Sequence, residues 1–355
     1  TTASNNTGIG FLALGANTTG TSNTAVGANA LDANTTGNSS TAVGFNCLTS
    51  NTTGACTAVG KDALKFNTTG SSNTAIGNGS LDANTTASFN TAVGNNSLSA
   101  NTTGSQNTAV GHDSLNDNTQ GNFNIAMGSN ALAVNTTGDN NTGIGSAALA
   151  SNTTADNNTA VGRAALNLNT TGAGNVALGA NALDSNTTAS NNTAVGYFAL
   201  SSATTGDLNT AIGYNCMSSN QTADRNVAVG GFALNQFNTT GDSYVTAVGY
   251  GAASASTTAA QFVAVGGSCL AGQTTAAFNV GVGYNCLASA TTGGNNTAVG
   301  RGAMFANQTG TQNVALGTNS LGSNTASNNT AVGYQSLNAN TTGTNNVAVG
   351  VDSLL

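Results

Sequence analysis

Apolar residues return at one fixed spacing along the whole chain, set between runs of Asn, Thr and Gly. The stretch Asn23 to Gly37, NTAVGANALDANTTG, shows the unit. Aligned on the Gly that closes its Ala-Val-Gly core, the unit recurs with Gly at 10, 27, 44, 60, 77, 94, 111, 128, 145, 162, 179, 196, 213, 230, 249, 266, 283, 300, 317, 333 and 350. The interval is 17 residues, apart from two of 16 (Gly44 to Gly60, Gly317 to Gly333) and one of 19 (Gly230 to Gly249). Such a short period marks a solenoid, in which each repeat touches only its neighbours. It leaves no room for a helix pair, whereas Val, Ile and Thr favour strands and Gly and Asn punctuate turns. The pattern predicts an all-β chain, a parallel β-solenoid (β-roll or β-helix) of about 21 coils of 17 residues spanning 1–355 as one repetitive domain. Each coil is expected to hold a short strand ending at the repeat Gly, a turn, a second short strand around Ala-Leu, and an Asn-Thr-Thr-Gly turn. Stacked at about 4.8 Å per coil, this is a rod on the order of 100 Å long.

Slot by slot, the allowed side chains differ. The residue before the repeat Gly is always Val, Ile, Leu or Met, as at Val26, Ile76, Met127 and Leu316, and is expected to face a core. Two residues earlier stands Thr, or Val or Ile as at Ile125 and Val176, on the same face by the two-residue period of a strand. The slot between them is only ever Ala or Gly (Gly8, Gly143, Gly281). A side chain that never grows implies a second surface pressed against the strand. Either face can be the coil interior, and both read as covered. The expected self-association face is therefore the alanine row Ala25, Ala42, Ala58, Ala75, Ala92 and Ala109. Four residues after the Gly stands Leu, with Met217 and Met304 as close replacements and Ala253 as the exception in an altered coil. The slot before that Leu holds Cys47, Cys216, Cys269 and Cys286 where other copies have Ala or Ser. These read as small buried residues, and stacking could bring Cys269 and Cys286 of adjacent coils within disulfide range. Cys56 has no obvious partner.

Asn recurs four residues before the Gly (Asn23, Asn73, Asn90, Asn107) and seven after it. Asn suits turns, and stacked amides can bond coil to coil as an Asn ladder. The second row reads Asn-Thr-Thr in most copies, also an N-glycosylation sequon. This makes Asn17, Asn34, Asn51, Asn67, Asn84, Asn101, Asn135, Asn152, Asn169, Asn186, Asn238 and Asn340 candidate glycan sites if the protein is secreted from a cell that can modify them. The residue after the repeat Gly varies freely and becomes Tyr at 197, 214, 250, 284 and 334. This row reads as solvent-facing edge packing, with a sugar-stacking stripe as the functional alternative.

Composition narrows the function. Charged residues make up 5%, the net charge is −7, and there is no Pro or Trp. Five scattered basic residues cannot form the patch that nucleic acid requires. No stretch approaches the roughly 20 apolar residues of a membrane span. The Asp residues are single, and the one local cluster of acid with imidazole, Asp113 and Asp117 beside His112, reads as solvated turn residues. No catalytic, cofactor or metal site is expected. One Val and one Leu per coil is a small core for so many ordered residues, which points to packing between chains as a trimer or filament. The chain starts and stops inside a repeat without a cap, so more chain, a cap or an end-to-end neighbour is expected at each end.

The copies Asn346 to Leu354 (NVAVGVDSL) and Asn175 to Leu183 (NVALGANAL) resemble the Val-Ala-Ile-Gly-x-x-Ala repeats of YadA-like trimeric autotransporter adhesin heads. The full unit is also similar to repeats of phage tail-fibre-like and large bacterial surface proteins. The adhesin-head repeat is shorter, and no neck, coiled-coil stalk or anchor segment accompanies this one. The resemblance implies a β-solenoid in an extracellular or cell-surface fibre or adhesin-type rod, or in a virion fibre, with itself, glycans or a host surface as partners. Ice or glycan binding along a solenoid face is the alternative, with adjacent Thr residues in Asn-Thr-Thr counting against ice.

Overall fold

The computed structural model describes residues 2–355 and divides into two compact units, Thr1–Asn175 and Val176–Leu355. Both are parallel β-solenoids, and no helix occurs among the described residues. In the first unit ten three-residue strands, from Thr7–Ile9 to Thr159–Val161, pair in parallel, each with its equivalent in the neighbouring coil. The register is strict: Thr24 faces Thr41, Ala25 faces Ala42 and Val26 faces Val43. The second unit repeats this from Val176–Leu178 to Val347–Val349, and a separate pair joins Thr240–Asp242 of its 19-residue coil to Thr222–Asp224 of the coil before.

Apart from the coils that carry Thr222–Asp224 and Thr240–Asp242, only one strand per coil forms. The expected second strand around Ala-Leu is instead a hydrogen-bonded turn whose backbone twice enters the left-handed region, at Asn29 (φ 60°) and Leu31 (φ 51°) in the coil of Gly27. It still bonds both ways: the Asn29 N–H donates to the Phe11 carbonyl of the preceding coil (2.8 Å), and the Leu31 N–H to the Cys47 carbonyl of the following one (3.1 Å). A left-handed leucine costs about 1–2 kcal/mol. Full burial of its side chain contributes about 1.5–3 kcal/mol, which offsets the strain in each coil.

The repeat Gly is fixed by geometry as well as by φ. At Gly111 φ is 138°, and a Cβ would lie 2.6 Å from the Gly128 carbonyl oxygen in the next coil. Stacked at this distance, the row tolerates no side chain.

The strand faces are the reverse of the sequence expectation. The central Ala is fully buried, as at Ala25, Ala42, Ala58, Ala75, Ala92 and Ala109, while Thr and Val on either side point outward and stay partly exposed. Val59, Ile76 and Met127 are each about two-fifths exposed. The interior is the alanine row against the leucine row. At Gly143 a Cβ would sit 3.2 Å from the Ala148 carbonyl oxygen of its own coil and 3.4 Å from Cγ of Leu132 in the preceding one, so a methyl group fills the space and anything longer overfills it. The slot never grows because its own chain's leucine is already there. The alanine row is therefore core, and the Val/Ile row expected in the core is an outer face.

Two asparagine ladders close the rest of the interior. In one, Asn84 Nδ2 donates to Asn67 Oδ1 of the preceding coil (2.7 Å) and to the Ala87 carbonyl of its own turn (3.1 Å). In the other, Asn73 Oδ1 accepts the Asn90 N–H (2.9 Å), while Asn90 Nδ2 donates to the Gly104 carbonyl (2.9 Å). Each amide satisfies backbone groups that a dry interior would otherwise leave unpaired. The insertion region breaks both ladders: Phe237, Val245 and Phe262 are buried in slots that hold Asn elsewhere, beside the coil where Ala253 replaces the leucine.

Candidate functional site

The ladder decides the fate of most sequons. Asn34, Asn51, Asn67, Asn84, Asn101, Asn135, Asn152, Asn169 and Asn186 are fully buried. A glycan is attached through Nδ2, the atom that in Asn51, Asn67, Asn84 and Asn101 bonds the turn carbonyl. A modified side chain has no place in the folded coil, so these nine expectations are withdrawn. Asn17 and Asn340 are half-buried, and Asn238 alone of the candidates is exposed.

All five cysteines are free and buried, so the Cys269–Cys286 bridge is not formed. Cys47 and Cys216 donate to the carbonyls of Ala58 and Ala228 in the next coil (3.2 Å each), and burial pushes both thiols up to about 12. Such protonated, enclosed thiols are poor nucleophiles. Cys269 and Cys286 do come together, and their mutual contact, followed by burial, holds the Cys269 thiol well above the ordinary range. Cys56 takes an asparagine's place in one ladder and donates to the Gly70 carbonyl (3.3 Å).

His112 Nδ1 lies 3.1 Å from Asp113 Oδ2 at the surface, and Asp117 accepts instead from its neighbour Asn116 (3.1 Å). The three do not converge. Among the described residues no group of three His, Cys, Asp or Glu side chains is placed to hold a metal ion. The scattered acids are not all idle: Asp139 accepts the Asn122 N–H (2.6 Å) and Asp156 accepts the Asp139 N–H (2.7 Å), so one row of them caps the backbone of the coil before. Sequence reasoning missed this role; the shared position eleven residues after the repeat Gly was its signal.

Two outer features remain. The first is the face of the repeat strands, with Thr, Val or Ile beside Val, Ile, Leu or Met in each of them and no charged residue among them. The second lies in Val176–Leu355, along the row that follows the repeat Gly. Tyr197 and Tyr214 stack with centroids 5.9 Å apart and 14° between planes, and Phe232 meets Tyr214 and Tyr250 edge-on. Where the row has Gly231 and Gly267, ring carbons of Tyr250 and Tyr284 from the next coil lie over the vacant positions, 3.4 Å from where a Cβ would stand. Both rings remain more than half exposed. Beside each opens a cleft: about 410 Å³ at Tyr250, with Phe232, Asn235 and Gln236, and about 320 Å³ at Tyr284, with Arg301 and Phe305. No helix is long and apolar enough to cross a membrane among the described residues. Neither a family model nor a curated protein matches this sequence.

Proposed function

We propose that the chain is a structural element, a stiff extracellular or cell-surface spacer of fibre or adhesin type that associates with further copies of itself. The carrying observation is the outward row of Val, Ile, Leu and Met before the repeat Gly, uncharged and repeated in register along each unit. A partly exposed apolar strip along a unit is uncommon on a protein that works alone. Parallel ladders and the two asparagine stacks supply stiffness along the coil axis, and the absence of Pro leaves every strand residue able to donate. Stacked sheets pack about 10 Å apart, a spacing that Thr and Val side chains fill well. The self-association face is thus moved from the alanine row to the Thr/Val face.

Electron microscopy and sedimentation of the wild type and of a variant with Val43→Lys, Val93→Lys and Val161→Lys test this. The wild type is expected as trimers or filaments, and the variant as single chains that melt as the wild type does once it is diluted below association. A wild type that stays monomeric at high concentration overturns the reading.

Ice binding is the second reading, and one observation favours it. From Thr7 to Thr108 every strand opens with an outward Thr in strict register. These residues are distinct from the Asn-Thr-Thr pairs that counted against it. A thermal hysteresis assay decides between an ice-binding face and a packing face.

A further inference from the structure

We propose that the cleft beside Tyr284 and Arg301 is a binding site for an acidic saccharide, one carrying a carboxylate on its sugar ring.

Two glycines open the cleft. The slot two residues after the repeat Gly holds Asn in many coils, and its side chains bond from coil to coil: Asn29 Nδ2 donates to Asn46 Oδ1 (2.9 Å), and Asn46 Nδ2 to the Asp62 carboxylate (3.1 Å). At Gly302 (φ 64°) this row is interrupted. A Cβ there would stand 2.6 Å from Asn319 Oδ1, so the neighbouring amide leans into the space that the glycine leaves. Gly322 repeats the arrangement with Asn338, whose Oδ1 occupies the place a side chain would take. Asn285, Asn319 and Asn338 all line the cleft. None makes a side-chain hydrogen bond among the described residues, whereas Asn29 and Asn46, in the slot of Asn285 and Asn319, do.

The chemistry of the walls selects the ligand. Tyr284 and Phe305 are about half exposed and offer apolar ring surface against which the C–H face of a pyranose can lie. Three primary amides supply both donors and acceptors, as sugar hydroxyls require. Arg301 is exposed, has no ion-pair partner among the described residues, and presents the planar fork that binds a carboxylate bidentately. No carboxylate lines the cleft, so it is not built for a cation. A nucleotide would also stack on the rings, but its phosphates call for more than one cation. At about 320 Å³ the cleft is at the small end of ligand sites and suits one or two sugar rings.

Calorimetric titration of the full chain tests this with an oligogalacturonate and with the neutral oligogalactoside of equal length. The wild type is expected to bind the uronate in the range of about 0.1–1 mM, at least tenfold more tightly than the neutral sugar. Arg301→Gln should remove that preference, and Tyr284→Ala should weaken both sugars at least tenfold. Gly302→Asn places in the cleft the residue this slot carries elsewhere, at a φ that Asn tolerates, so it should abolish binding with melting unchanged. Tyr197→Ala, outside the cleft, should bind as the wild type does. No uronate binding by the wild type, no preference over the neutral sugar, or full binding by Gly302→Asn or Arg301→Gln overturns the proposal.

Discussion

Gly281 and Cys269 fit each other: a Cβ on Gly281 would lie 2.6 Å from the Cys269 sulfur in the preceding coil. Gly281 stands where other coils have the buried Ala, and Cys269 where they have Ala or Ser. The thiol occupies the volume that the missing methyl leaves. Gly281→Ala alone is therefore expected to turn the Cys269 thiol toward the carbonyl contact that Cys47 and Cys216 make beside Ala58 and Ala228, at a cost of about 1 kcal/mol or less. Combined with Cys269→Ala, which restores the common residue at both slots, most of that cost should vanish. A double-mutant cycle by chemical denaturation reads the coupling; additive effects would show that the two sites do not share this space.

Facing direction along the strand can be tested at adjacent residues. Ala109 is fully buried in its own chain, so Ala109→Glu places an unpaired carboxylate inside the coil and should cost about 3–5 kcal/mol even in dilute, unassociated protein. Val110 points outward, and in the same dilute, unassociated protein Val110→Lys should change stability by no more than about 0.5 kcal/mol. Comparable losses for the two variants would contradict the inside-out assignment.

The asparagine ladder predicts a local effect. Asn118 Nδ2 bonds Asn101 Oδ1 (2.9 Å) and the Gly121 carbonyl (3.0 Å), and its Oδ1 accepts from Asn135 (2.8 Å). Asn118→Ala orphans groups on both sides, at about 1–3 kcal/mol for each that stays dry. Hydrogen exchange should quicken in the coils around Asn118 and stay unchanged several coils away, because solenoid coupling is between neighbours. Uniform quickening throughout the chain would mean that the ladder acts globally.

Asp82 gives a pH test. Burial, the largest influence, raises its carboxyl above the ordinary value. A raised folded value means that the folded state holds the proton more tightly than the unfolded one, so ionising Asp82 costs stability. That cost is absent below the unfolded value of about 3.9 and grows as pH rises through the folded value. Asp82→Asn should melt above the wild type at pH 7, by a small margin for a half-buried group. The two should converge near pH 3. A variant that melts lower at pH 7 would reverse the sign.

The coil and its period could be read from the chain because Gly, Ala and Asn each fill a slot that admits almost nothing else. Gly111 cannot carry a Cβ, Ala109 is wholly enclosed in the coil, and Asn118 is bonded on both sides. Facing direction was not readable in the same way. A three-residue strand alternates Thr, Ala and Val whichever side is inside, and the larger apolar residue drew the assignment to the core. The left-handed conformation of Leu31 and its equivalents was hidden too, since no local preference of leucine favours it; the payoff comes from burial against the alanine row. The cleft at Tyr284 was legible only as a row of tyrosines. The glycines that open it, Gly302 and Gly322, matter because of what the coils above place over them.

The unequal freedom of the slots has a consequence for how this protein can change. The interior positions are so mutually constrained that they act as a fixed frame, while the positions one and two residues after the repeat Gly accept Tyr, Arg, Gly, Asn, Lys or Phe without disturbing it. The outer row is thus a series of addresses at constant pitch, each rewritable by a single codon. Gain or loss of whole repeats would move a recognition patch along this grid in integral steps, leaving its chemistry intact.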